Sequence, residues 1–140
     1  MGPNALTFYR LAQRLKSLGL PGLAAGAASV GNRFHRTHVS MDAELGEDVE
    51  LGYGGLGIVI AAGVKVGARS VISQEVTLDV RPGMDGVPLI GREVFVGVGA
   101  KVLGPVTVGD RAKIGANALV LEDVPADAVV VGIPAHSTGR

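Results

Sequence analysis

No cysteine and no tryptophan occur among the 140 residues. The missing cysteine excludes disulfides, thiolate metal sites and a thiol nucleophile, although it does not identify a compartment. Aromatic residues are scarce, with two tyrosines and three phenylalanines in all, and no nucleic-acid-binding motif accompanies them, so no nucleic-acid partner is expected. No uninterrupted apolar run approaches the roughly 18 residues that a membrane span needs. The first twenty residues form an amphipathic pattern without a signal-peptide cleavage site, so the expected location is the cytoplasm. Acidic residues are absent from positions 1–38, which carry Arg10, Arg14, Lys16, Arg33 and Arg36. That basic arm is read as a solvated helix face, with contact to an anionic membrane surface as the alternative.

What is present is apolar surface in a regular order. Hydrophobic residues make up 47% of a chain with no net charge, which argues against disorder. Aliphatic residues recur every six positions: Val39, Leu45 and Leu51; Ile60, Val66, Ile72 and Leu78; then Ile90, Val96, Val102, Val108, Ile114 and Val120. Glycine often follows directly, as at Gly46, Gly52, Gly67, Gly91, Gly97, Gly109 and Gly115. Four positions after each aliphatic stands a small or β-branched residue, such as Ala43, Val64, Ser70, Ala100 or Ala112. Repetition at so short a period indicates a solenoid whose units bury a core only collectively. Three units, about 18 residues, complete a triangular coil with the aliphatic side chain inside and the small residue at the corner. The glycines are expected to relieve backbone angles that a β-carbon would penalise. The fold class is thus all-β, a left-handed parallel β-helix with a short N-terminal helix. It divides the chain into a leader (1–38), the β-helix (39–135) and a tail (136–140).

Two interruptions break the period. Nine residues separate Leu51 from Ile60, across a glycine-rich kink at 52–57, and twelve separate Leu78 from Ile90. Repeat proteins often carry function on such excursions. Upstream, Phe8, Leu11, Leu15 and Leu18 have helical spacing, so Asn4 to Leu18 predicts an amphipathic helix ending near Gly19 and Pro21.

The stretch Val96 to Asn117, followed by Leu119 to Pro125 and by Val131-Gly-Ile-Pro-Ala135, resembles serine acetyltransferase and related hexapeptide O-acetyltransferases. The order of kink, Gln74-Glu-Val-Thr-Leu78, excursion loop and Gly-Ile-Pro-Ala ending adds to the likeness. Residues 1–38 are more similar to the short leader of acetyltransferases from surface-polysaccharide pathways. The resemblance implies a homotrimer that binds acetyl-CoA between subunits. Val98, Gly99, Ala100, Lys113, Ala116, Gly132 and Pro134 stand at the matching cofactor positions, and Lys113 would pair with a CoA phosphate.

The family's catalytic residues do not carry over. Its kink histidine, a general base, falls on Tyr53 or Gly54 depending on the side from which the kink is aligned. The excursion-loop histidine falls on Val87, and a glycine pair falls on Asp79 and Val80. Conversely, the family's aspartate at the first coil is His38 here, so His38 and Tyr53 are candidates for a rearranged base. His38, Tyr53, Asp79 and Asp85 are therefore the catalytic candidates, with Gln74 and Arg81 as substrate-binding candidates. The spacing of His35, His38 and His136 does not suit a three-nitrogen zinc site, so no metal is expected. No glycine cluster leads into a Gly-Lys-Ser/Thr phosphate loop. Two kinds of function stay open. One is acyl transfer, in the main acetyl, to a small hydroxyl- or amine-bearing acceptor other than serine. The other is a trimeric prism that serves as a binding or structural protein, or that runs a different reaction in the cleft.

Overall fold

A computed structural model describes residues 3–139. Helix α1 (Ala5–Ser17) begins where the Asn4 side chain accepts the Thr7 N–H at 2.9 Å, satisfying a donor that a helix start leaves free. Arg14 and Lys16 in its last turn complement the helix dipole. Gly19, at φ 75°, then turns the chain. Pro21 opens a second helix, α2 (Pro21–His35), where the sequence suggested only an end to the first. Proline suits a first helical position because that N–H has no partner in any case. Three glycines within α2 blur its periodicity. One of them is what lets it dock: a β-carbon on Gly31 would overlap the Phe8 side chain of α1.

The helix pair closes the N-terminal end of a three-faced prism. Ala5 and Tyr9 are buried in the same core as the first coils. The Tyr9 hydroxyl donates to the Ala43 carbonyl at 2.6 Å, Gln13 donates to the Met41 carbonyl at 2.6 Å, and Lys16 meets Asp42 at 2.8 Å. Covering this end removes an open sheet edge.

The first face stacks β1 (His38–Val39), β4 (Val59–Ile60), β7 (Thr77–Asp79), β10 (Lys101–Leu103) and β13 (Leu119–Val120). The second stacks β2 (Glu44–Leu45), β5 (Lys65–Val66), β8 (Leu89–Ile90) and β11 (Thr107–Val108). The third stacks β3 (Glu50–Leu51), β6 (Val71–Ile72), β9 (Phe95–Val96), β12 (Lys113–Ile114) and β14 (Val129–Val131), with β15 (His136–Ser137) added antiparallel. All other pairings are parallel and in register, so Val39, Ile60, Leu78, Val102 and Val120 form one inner column. The six-residue aliphatics point inward and the small residues fill the corners, as the repeat predicts: Ile60, Ile72, Leu78, Ile114, Ala100 and Ala112 are fully buried. Ser70, a corner residue, keeps its buried hydroxyl satisfied by donating to the Gly91 carbonyl and accepting the Val94 N–H.

The glycines serve a different purpose from the one expected. Gly46, Gly67, Gly97 and their equivalents are absent from the positive-φ positions. They are needed for clearance: a β-carbon on Gly46 would stand 2.6 Å from the Ala68 nitrogen, and one on Gly97 2.7 Å from the Ala116 nitrogen. The left-handed positions fall instead on the residue just before each corner. Along the edge between the second and third faces these residues are Asp48, Arg69, Glu93, Arg111 and Asp127, all with φ between 53° and 62°. Their charges alternate down the stack. Arg69 meets Glu93 at 2.8 Å, and Arg111 holds Asp127 through two bonds of 2.7 and 3.0 Å. Hydrogen bonding from Arg69, then its charge, holds the Glu93 carboxyl below the usual carboxylate range, and Arg111 does the same for Asp127.

Two outcomes follow for stability. Ile72→Ala, deep in the prism, is expected to cost about 2–5 kcal/mol through lost burial and the cavity left behind, read from urea unfolding. A depressed carboxylate stabilises above its unfolded pKa and loses that contribution as pH falls through the folded value. Glu93→Gln should therefore be the less stable protein at neutral pH. The gap in urea midpoint should close as pH drops below about 4.3.

Candidate functional site

The kink after β3 is a tight 3-10 turn, Gly52–Gly55, in which Tyr53 (φ 47°) and Gly54 (φ 69°) both adopt left-handed backbone. A tyrosine in that region is uncommon and marks a conformation imposed by its surroundings. The turn is clamped from two sides. Gly55 lies under Ala5 of α1, and the Leu56 carbonyl accepts the Glu75 N–H at 2.9 Å. The Tyr53 ring is 82% exposed. Between the turn and the helices opens a concavity of about 670 Å³, bordered by Asn4, Leu6, His35, Glu50, Tyr53 and Gly54.

Below the kink runs the edge where the third face turns into the first, here called the kink edge. Gly52 sits on Gln74, whose carbonyl accepts the Gly99 N–H at 3.1 Å. The Val98 carbonyl accepts the Asn117 N–H at 2.8 Å, and the Gly132 carbonyl accepts the Leu119 N–H at 3.0 Å. Tyr53, Gln74, Val98, Gly99, Ala116 and Gly132 thus share one edge of the prism although 79 positions separate the first from the last. The shelf is shallow. Val98 and Ala116 are exposed, while Gly99, at φ 69°, is buried with the Asn117 amide oxygen packed where a β-carbon would project. Ala100 turns its methyl into the core, and its N–H and C=O bond to Gly97 and Thr77, so it supports the shelf from beneath. Lys113 projects from the outer surface of the third face, between Phe95 and Val129. Pro134 is exposed at the C-terminal end of the edge.

The other candidates lie elsewhere on the chain. His38 is exposed on β1 and lines a separate concavity of about 250 Å³ against α2, with Asn32, Ser40 and Asp42. It does not share the cavity of Tyr53. Asp79 ends β7 at the corner between the first and second faces, where its carboxylate accepts the Val80 N–H at 2.7 Å. Arg81 packs across Gly104, and Asp85 is exposed in the excursion loop, which rests on Pro105 through Gly86. The candidates therefore divide between two edges of the prism and the face of α2.

Sequence reasoning considered His35 only as part of a zinc set. It stands 18 positions before Tyr53, and only the docking of α2 brings it to the kink. No spacing signal could have found it. Among the described residues, no group of three or more His, Asp or Glu side chains is placed to hold a metal ion, and no helix is long and apolar enough to cross a membrane.

These features define a hexapeptide-repeat β-helix with a helical cap and a kinked first coil. Comparison with known proteins narrows the class. Residues 88–122 match the family model described as bacterial transferase hexapeptide (six repeats). A serine acetyltransferase of Helicobacter pylori is 35% identical over 97% of this chain and 80% of its own length. One from Mycobacterium tuberculosis is 37% identical over 99% of this chain and 61% of its own length. Among solved structures, serine acetyltransferase from Brucella abortus in complex with coenzyme A superposes with a TM-score of 0.89. It is 32% identical and covers 97% of this chain, which in turn covers 55% of it. The chain belongs to the serine acetyltransferase family. It spans 61% and 55% of the relatives from Mycobacterium tuberculosis and Synechococcus elongatus.

The close approach at the kink edge is testable. Gly97→Ala would force a methyl against the Ala116 backbone and is expected to destabilise by about 1–3 kcal/mol as overpacking. Gly26→Ala, in α2 with nothing near its β-carbon position and ordinary helical backbone, meets neither clash nor strain and should not destabilise in the same urea measurement.

Proposed function

We propose that this protein is a CoA-dependent O-acetyltransferase, carrying an acetyl group from acetyl-CoA to the hydroxyl of a small acceptor. The observation that carries the reading is the kink edge. Of the cofactor positions implied by the family resemblance, Val98, Gly99, Ala116 and Gly132 lie along one edge that leads from the C-terminal coils up to the kink. The exposed Val98 and Ala116 suit an extended, amide-bearing arm laid along this edge. Lys113 offers a point charge for a phosphate at the outer side of the shelf. The donor supplies an activated acetyl thioester, and the protein's part is to hold it beside an acceptor at the kink concavity.

The serine acetyltransferase relatives and the CoA-bound structure support acetyl transfer, which makes L-serine the first acceptor to assay. Gln74 lies next to Gly52 beneath the kink, and in this reading it holds an acceptor polar group. Tyr53 borders the same concavity as a hydroxyl-bearing side chain. Asp79, Arg81 and Asp85, on the other edge, reach the reaction only from a neighbouring subunit. They therefore belong to this reading in its trimeric form, with the leader at 1–38 and the β-helix at 39–135 as its two parts. A cytoplasmic location goes with a CoA thioester as donor.

Titration calorimetry with acetyl-CoA tests the reading. The expected outcome is binding at micromolar affinity, weakened about tenfold, or roughly 1.4 kcal/mol, by Lys113→Glu. No binding at millimolar acetyl-CoA would reject it and favour a prism that serves as a binding or structural protein, for which the replaced kink histidine already speaks.

A further inference from the structure

The acetyltransferase reading needs a group to take the acceptor's proton, and neither position in the kink provides an imidazole. We infer that His35, brought in by the last turn of α2, is the general base of the transfer. The inference rests on that reading and adds the residue that performs its proton step.

The argument starts from the tautomer. His35 Nε2 lies 3.0 Å from the Pro3 carbonyl oxygen. A carbonyl oxygen only accepts, so Nε2 carries the hydrogen and donates it. In the neutral ring Nδ1 is then bare, with a lone pair free to accept a proton. That nitrogen faces the kink. It stands 3.6 Å from the point where a β-carbon on Gly54 would project, with Cε1 at 3.8 Å. Because Gly54 has no side chain, the space beside Nδ1 is open, and it forms part of the concavity bordered by Glu50 and Tyr53. The ring is half-buried, and the Phe8 ring of α1 flanks it at 6.2 Å between centroids. Its orientation is therefore set by α1, by the chain before α1 and by the kink.

Few charged or titratable groups face it. Glu50 on β3 lines the same concavity. Tyr53 in the turn is the other titratable group there, and Arg36, the cap of α2, follows His35 directly. Neither other histidine is so placed. His38 lines the separate concavity against α2, and the ring of His136 lies over Gly132 at the far end of the kink edge.

The step balances without a further reactant. The acceptor hydroxyl donates to Nδ1 while its oxygen attacks the thioester carbonyl carbon. The C–O bond forms and the C–S bond breaks. The proton held on Nδ1 passes to the departing thiolate, leaving an acetyl ester, free CoA thiol and neutral His35.

The test is thiol release from acetyl-CoA with L-serine, other small hydroxyl compounds or water as acceptor, followed across pH. Histidine-to-glutamine keeps a donor for the Pro3 carbonyl and removes the base. His35→Gln is expected to lower kcat by about 10² to 10⁴, leave the KM for acetyl-CoA nearly unchanged and abolish the acidic limb of the kcat/KM profile. A variant within threefold of the parent rate, or one that is slower but keeps the acidic limb, would overturn the assignment in favour of a structural role. Should the variant fail to fold, nitrogen-15 NMR of the parent decides: bare Nδ1 in neutral His35 supports the assignment, and an Nδ1–H tautomer overturns it. A parent protein that neither binds acetyl-CoA nor releases thiol removes the acetyltransferase reading itself. Parent turnover with an unaffected variant removes His35 alone.

Discussion

Each coil of this prism rests on the next at the spacing of hydrogen-bonded strands, about 4.8 Å, and at the corners that spacing leaves no room for a β-carbon. Gly46, Gly67, Gly91, Gly97 and Gly109 all meet the backbone or a short side chain of the following coil at distances a real β-carbon does not tolerate. The inward aliphatic column depends on this clearance. Only when the corners close does each coil stay in register with its neighbours, and only then do Val39, Ile60, Leu78, Val102 and Val120 stack as one column.

Close stacking also turns corners into edges with distinct chemistry. At one edge the left-handed positions carry Asp48, Arg69, Glu93, Arg111 and Asp127, whose side chains reach along the stack and alternate in sign. At the kink edge the corresponding positions are Glu75, Gly99 and Asn117, below a turn in which Tyr53 and Gly54 are both left-handed. The first edge is occupied by its own ion pairs. The second presents the exposed Val98 and Ala116, without such ion pairs among the described residues, to an approaching ligand. The difference arises from which residue types fill one recurring backbone position.

The solenoid was legible because its signal is periodic and local: an aliphatic every six residues needs no long-range information to recognise. The reason for the glycines was not legible, since clearance between Gly46 and Ala68 or between Gly97 and Ala116 exists only once the coils have stacked. Helix α2 was hidden by Gly22, Gly26 and Gly31, residues that weaken a helix alone. Contact with Phe8 explains one of them. For the site, family resemblance pointed to the row from Val98 to Pro134, and the structure shows Val98, Gly99, Ala116 and Gly132 on one edge. It also shows that His38 and Tyr53, paired by alignment, border different concavities. His35 lay outside any local pattern because its relation to Gly54 is made by helix docking.

The central claim is that the kink edge is a cofactor shelf leading to a concavity closed by the helical cap. A crystal structure of the protein grown with coenzyme A tests it most directly. The account predicts the extended arm along Val98–Gly99, Ala116–Asn117 and Gly132, a phosphate within reach of Lys113, and the thiol directed towards Tyr53, Gly54 and His35. Coenzyme A bound on another edge, or a thiol directed away from the kink, would contradict it.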